Sequence, residues 1–121
     1  MMKLFKGNST NIRSQYAERT GTELASAANA STAVRLIVLN QSSHAFNLDN
    51  GLNVEIQLLV VNPEDTTKTK VPWLALGASK NLNLELFHLN MQLEAGLEIW
   101  AYYPGGVAPT TTLKLRMFTW G

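Results

Sequence analysis

The chain contains no cysteine. That single absence removes disulfides, thiolate nucleophiles and Cys-ligated zinc. Charge is also scarce: charged residues are 16% of 121 residues and the net charge is +1. No basic stripe is present, so a nucleic-acid footprint is not expected. Weak mutual repulsion suits a subunit that packs against other subunits. Histidine and aspartate occur only at His44, His88, Asp49 and Asp65, which leaves little for acid–base or metal chemistry. No window is long and apolar enough to span a membrane as a helix, so no membrane partner is expected. The opening Met1-Met2-Lys3-Leu4-Phe5-Lys6-Gly7 is positively charged but has no apolar stretch behind it, unlike a secretory signal. The triplets Asn8-Ser9-Thr10, Asn29-Ala30-Ser31 and Asn40-Gln41-Ser42 match the glycosylation pattern. Without such a signal they read as chance in an Asn/Ser/Thr-rich chain.

What is present is alternation. Val34–Asn40 is rich in β-branched residues and reads as a strand whose centre is apolar on both faces. In the segment 54–61, Val54, Ile56, Leu58 and Val60 share one face, opposite Glu55 and Gln57. Residues 71–76 contain Pro72, which cannot donate to a ladder, so they form an edge strand or an irregular crossover. Leu82–Leu89, Leu97–Tyr103 and Thr111–Trp120 read as three further strands, separated by Gly or Pro turns. Leu97, Ile99, Ala101 and Tyr103 face one way, and Glu98, Trp100 and Tyr102 the other. Leu113, Leu115 and Met117 alternate with Lys114, Arg116 and Phe118. Turns are expected at Gln41–His44 and at Asn47–Gly51, where Asn-Gly supplies hairpin geometry. The fold class that follows is all-β: one antiparallel β-sandwich or jelly roll, because each strand has one face to bury.

Two segments read less simply. Met1–Arg19 is polar and lacks a sustained period. It is either a disordered terminus or, in the reading adopted, an extended N-terminal arm that orders against a neighbouring subunit, with Phe5, Ile12 and Tyr16 as anchors, ahead of a sandwich domain from Thr20 to Gly121. Thr20-Gly21-Thr22-Glu23 fits a helix capping box, yet Thr22–Ala27 also fits a short strand before a turn at Ala28–Ser31.

Chemistry is thin. Glu85 and His88 have opposite parity on a strand and point to opposite faces, so they make no metal pair. Asn62-Pro63-Glu64-Asp65 lacks the alternating oxygen ligands of a calcium loop. Ser42 and Ser43 adjoin His44, but neighbours in sequence do not make a nucleophile and base without a strained elbow and an orienting acid. No phosphate-binding Gly-rich loop occurs. No catalytic residue, cofactor or metal is assigned, and an enzyme is the least favoured reading.

Trp100, Tyr102, Phe118 and Trp120 fall on the outward parity of the last two strands. If those strands pair, they form an aromatic stripe rimmed by Lys114 and Arg116. It is a second core face under the N-terminal segment, a subunit interface with aromatic anchors, or a sugar-stacking platform.

The segment order resembles small virion-associated β-sandwich proteins of tailed bacteriophages. The likeness rests on Thr22–Ala27, the turn Ala28-Asn29-Ala30, Thr32-Ala33-Val34 opening an apolar strand, and Asn40-Gln41-Ser42 closing it. Later, Leu93-Glu94-Ala95-Gly96-Leu97-Glu98-Ile99, Gly105-Gly106 and the last strand, Thr112–Trp120, follow the same order. The chain departs from that pattern at Asn29, where the family's turn has Pro-Gly chemistry, and at Leu97, where aspartate is usual. The resemblance favours the strand for Thr22–Ala27, and that reading is adopted. It implies a structural virion protein assembled in the host cytoplasm, of the capsid-decoration or cement type. The partners would be the major capsid protein or other virion subunits, with self-association, a trimer being one option. The subunit interface would use Phe5, Ile12, Tyr16, Trp100, Tyr102, Phe118 and Trp120. A tail, neck, baseplate or fibre-attachment subunit is the first alternative. A carbohydrate-binding module with Trp73 or Trp100 as platform is the second.

Overall fold

The computed structural model describes residues 12–86 and 92–120. Eight strands run through it: β1 (Ile12–Thr20), β2 (Val34–Val38), β3 (Ser43–Asn50), β4 (Ile56–Val61), β5 (Lys70–Leu76), β6 (Lys80–Glu85), β7 (Glu98–Tyr102) and β8 (Thr112–Trp120). A one-turn helix, α1 (Gly21–Leu24), and a 3₁₀ turn at Ala30–Thr32 join β1 to β2.

The strands form two four-stranded sheets, ordered β1-β8-β3-β6 (sheet I) and β2-β7-β4-β5 (sheet II). Every described pairing is antiparallel. First pairs with last, second with seventh, third with sixth and fourth with fifth. The chain is thus one long ribbon, folded at the β4–β5 loop and rolled up into two layers. That order is the jelly roll, and the all-β expectation holds.

Alternation explains the layers. Leu113, Leu115 and Met117 of β8 are at most 1% exposed, and Lys114 and Arg116 between them face solvent. Phe46, Leu48, Ile56, Leu58, Ile99 and Ala101 meet them from the other strands to form the shared core. Each such large apolar side chain contributes about 1.5–3 kcal/mol on burial. Pro72 lies on β5, an edge strand, opposite Leu59 and beside a bulge whose extra residue is Trp73.

Three expectations are corrected. Residues 12–19 are not part of an arm that awaits a neighbour; they pair with the chain's own β8 along the whole strand, from Ile12↔Trp120 to Thr20↔Thr112. Their pattern looks aperiodic because the core-facing positions 13, 15, 17 and 19 include one apolar residue, Ala17. The others do different work. Gln15 Nε2 donates to the Val38 carbonyl (2.9 Å), and its Oε1 accepts from Asn40 N–H (2.8 Å). Arg19 Nη2 donates to the Arg35 and Leu36 carbonyls, at 2.9 and 3.2 Å. Side chains of β1 therefore satisfy the outer edge of β2 where no strand lies.

The second correction is Thr22–Ala27, which is not a strand: Thr22–Leu24 belong to the one-turn helix α1, and Ala25 caps its end. The capping box wins locally: Thr20 Oγ1 accepts from Glu23 N–H (3.1 Å), and Glu23 Oε1 accepts from Thr20 N–H (2.9 Å). The third is the expected turn at Asn47–Gly51, of which Asn47–Asn50 belong to β3. Asn50 turns its side chain into the fold. Its Nδ2 donates to the carbonyls of Val54, Leu76 and Gly77 at 3.0, 3.1 and 3.0 Å, and its Oδ1 accepts from Leu52 N–H at 3.1 Å. Gly51 is required by closeness, not by φ: a Cβ there would lie 2.7 Å from the Thr112 carbonyl oxygen.

Candidate functional site

β7 and β8 lie in different sheets, so the expected aromatic stripe does not form. Its residues divide between opposite outer faces of the sandwich. Tyr16 and Phe118 lie on sheet I with Lys114 and Arg116, and Trp100 and Tyr102 lie on sheet II. Phe5 lies outside the described residues. The backbones of Ile12 and Trp120 pair with each other, and their side chains lie outside the described part.

The sheet I face is mostly polar. Tyr16 is 45% exposed, and the Arg116 guanidinium stands 4.8 Å from its ring centroid. Its hydroxyl donates to Glu18 Oε2 (3.1 Å). Partial desolvation, then the Glu18 carboxylate, hold the phenol above its ordinary pKa. Arg116 also donates to Ser14 Oγ (2.9 Å). Asn47 Nδ2 donates to the side-chain oxygens of Asn81 and Asn83, at 2.8 and 2.7 Å.

The sheet II face is built differently. Trp100 sits mid-β7, between Arg35 of β2 and Leu59 of β4. Leu59 and Val61 point outward by parity, yet they are only 1% and 3% exposed. On that face Leu59 is flanked in register by Trp100 and Pro72, and Val61 by Glu98 and Lys70. A small apolar layer therefore lies on the outside of the sheet. Trp100 Nε1 donates to Glu98 Oε1 (2.9 Å), which fixes the indole orientation. Glu98 Oε2 faces Arg35 Nη1 at 3.6 Å. Lys70 crosses from the edge strand to place Nζ 5.0 Å from the indole centroid, and there it donates to the Ala30 carbonyl (2.9 Å). A cation over an indole is worth about 0.5–1 kcal/mol at an exposed site.

Beside this pair opens a groove of about 300 Å³, lined by Arg35, Val61, Pro63, Lys68, Lys70, Glu98 and Trp100. Its outer wall is the β4–β5 loop, the tip of the rolled ribbon. That loop is ordered from within. Glu64 N–H donates to Asn62 Oδ1 (3.0 Å), and Asp65 accepts from Thr67 N–H (3.1 Å) and the Thr67 hydroxyl (2.9 Å). The Thr67 backbone bond, then its hydroxyl, hold the Asp65 carboxyl below its ordinary pKa. Lys68 completes the turn with φ +48°, its N–H donating to the Asp65 carbonyl (3.0 Å).

The remaining candidates are placed elsewhere. Trp73 packs on Phe46, with ring centroids 4.8 Å apart at 57°, at the margin of the core. His44 is not in a turn; it is the extra residue of a β3 bulge between Ser43 and Ala45. His88 lies outside the described residues. Among the described residues no three His, Cys, Asp or Glu side chains are grouped as a metal site.

Sequence parity joined Glu98 to Trp100 but missed Arg35, Lys68 and Lys70. Their contribution depends on β2 and β5 flanking β7 and β4, and on a lysine reaching across a strand. Only the strand order reveals either.

No family model matches the chain, and no curated protein matches it. Among solved structures it is similar to a chain described by the words "Bacillus endospore appendages form a novel family of disulfide-linked pili". The identity is 12%, the TM-score 0.42, and the match covers 98% of this chain and 94% of that one.

Proposed function

We propose that the chain is a non-catalytic structural subunit of a tailed-phage particle, of the capsid-decoration type. It joins neighbouring virion subunits through the outer face of sheet II. The observation that carries this reading is the second apolar layer. Trp100 and Tyr102 stand half-buried on an outward sheet face, and Trp100 lies directly beside the fully covered Leu59. Aromatic side chains braced in this way make good interface anchors, because little conformational freedom remains to be lost on binding. The jelly roll alone does not choose, since capsid and lectin domains share it. The turn-by-turn resemblance at Thr32-Ala33-Val34 and Leu93–Ile99 points to the virion.

The test is gold-labelled antibody imaging of virus particles from the source lysate. Label over the head supports decoration. Label at the tail replaces it with a tail-subunit role, and bare particles overturn the virion reading. The paired substitution Trp100→Ser with Tyr102→Ser should strip the label while the isolated protein keeps its β-sheet circular dichroism. Retained label would move the interface to the Tyr16 face of sheet I.

A further inference from the structure

The sheet II groove carries more charge than its sheet does elsewhere. Three cations, Arg35, Lys68 and Lys70, line it with one carboxylate, Glu98. That carboxylate is already engaged, by the Trp100 N–H at 2.9 Å and by Arg35 at 3.6 Å. A newcomer therefore meets an excess of two positive charges, carried by side chains from β2, β5 and the ribbon tip. The rest of the lining is apolar: Val61, Pro63 and the indole of Trp100. Cations beside an apolar lining are complementary to carboxylates alternating with aliphatic side chains.

We infer that this groove docks an acidic, extended protein segment of a neighbouring subunit, carboxylates on Lys68 and Lys70 and an aliphatic side chain against Trp100. The inference rests on the sheet II face proposed above and names the chemistry of its partner. A peptide fits better than a phosphate polymer. Glu98 stands inside the groove and would repel a doubly charged group. Its neighbour Arg35 faces Glu98 at 3.6 Å, so part of its charge is already offset by that carboxylate. Three cations also fall short of the stripe that nucleic acids select. Part of the site is prearranged: the Lys68 backbone is held in a left-handed turn by the Asp65 carbonyl, and the Lys70 ammonium is steadied by the Ala30 carbonyl.

The experiment is fluorescence anisotropy with the full chain and no particle, so it stands or falls independently of the imaging. The probe is a dye-labelled hexapeptide of alternating leucine and glutamate. The comparators are its leucine–glutamine counterpart and single-stranded oligothymidylate. The expected result is saturable binding of the glutamate peptide alone, weakened by salt. The double variant Lys68→Gln, Lys70→Gln should weaken it about tenfold or more. The charge reversal Lys68→Glu, Lys70→Glu should exchange the preference for a leucine–lysine peptide. This arm keeps the test decisive, because an unfolded variant would bind neither peptide selectively. No binding of the glutamate peptide, equal binding by the Lys→Gln variant, or equal binding of oligothymidylate each overturns the inference. So does a concentration-dependent dimer that the same variant abolishes, since the occupant would then be a second copy.

Discussion

Replacing Asn50 should cost more than replacing any exposed polar residue. Its side chain is fully buried at the end of β3. It joins three otherwise separate pieces: the 51–55 loop through Val54 and Leu52, the end of β5 through Leu76, and the turn into β6 through Gly77. Asn50→Leu, similar in volume, removes the bonds while filling the space. It removes one partner from each of three carbonyls and one N–H. A neutral hydrogen bond contributes about 0.5–1.5 kcal/mol net, and a stranded buried partner costs about 1–3 kcal/mol. Two N–H bonds shared among three acceptors do not count as three, so the expected loss is about 3–5 kcal/mol. That is a large share of the roughly 5–15 kcal/mol available to a domain. The assay is urea unfolding, with the midpoint falling and the slope unchanged. Asn50→Asp adds a sign. The introduced carboxylate would face three carbonyl oxygens, so its folded pKa lies above its unfolded value of about 3.9. The favourable state is then the protonated one, present below the unfolded pKa and lost as pH rises through the folded pKa. The deficit against the parent protein should therefore be smaller at acidic pH than at neutrality. A loss below about 1 kcal/mol for Asn50→Leu, or no pH trend for Asn50→Asp, would refute the assignment of Asn50 as the tie between these loops.

Gln15→Leu and Arg19→Met should each lower stability by about 1–2 kcal/mol, from loss of the bonds to β2. Together they should produce concentration-dependent association in sedimentation, because they expose an unguarded sheet edge. Gly51→Ala should lower the unfolding midpoint more than an ordinary surface Gly→Ala change, because its Cβ would press on the Thr112 carbonyl at 2.7 Å; an unchanged midpoint would remove the close-approach argument. Both Asp65 and Glu23 have carboxyls held below their ordinary pKa values, each chiefly by a backbone N–H bond, from Thr67 and Thr20 respectively. Their contribution is present above the unfolded carboxyl pKa and lost as pH falls through the depressed folded value. The protection factors of the Thr67 and Thr20 amides should therefore fall in acid before those of the β8 core do, and simultaneous loss would contradict a local role.

The strands that alternate were legible because burial enforces period two. β7 and β8 show it residue by residue, as does β4 through Leu58. The pattern stops being informative where a strand's core-facing positions are polar for a reason that lies in another strand. β1 is the clearest case: Gln15 and Arg19 look like solvent-facing residues until β2 is placed beside them. The Asn50-Gly51 pair misled for a related reason. Asparagine and glycine are turn formers when they supply positive φ, and here neither appears among the positive-φ residues. Asn50 is needed for four hydrogen-bonding positions and Gly51 for proximity to β8. Thr20–Glu23 erred in the other direction: the local capping signal was correct, and the resemblance that overrode it placed a strand where one turn of helix stands.

The sheet II face shows why aromatic parity alone could not define the site. Trp100 and Phe118 share the outward parity of neighbouring strands in sequence, so a simple hairpin would have joined them. In a rolled ribbon successive strands usually exchange sheets, and β7 and β8 finish on opposite sides. What gathers around Trp100 instead comes from β2, β4 and β5, three segments between 35 and 70 in the chain. Two of the groups that distinguish the face from an ordinary apolar patch are lysines, Lys68 and Lys70. In sequence they lie in the polar stretch 62–70, and nothing there separates them from solvated charge. Topology supplies the missing information: the ribbon tip and the start of β5 flank the face carrying the indole, so Lys68 lines the groove beside Trp100 and Lys70 stands over its ring.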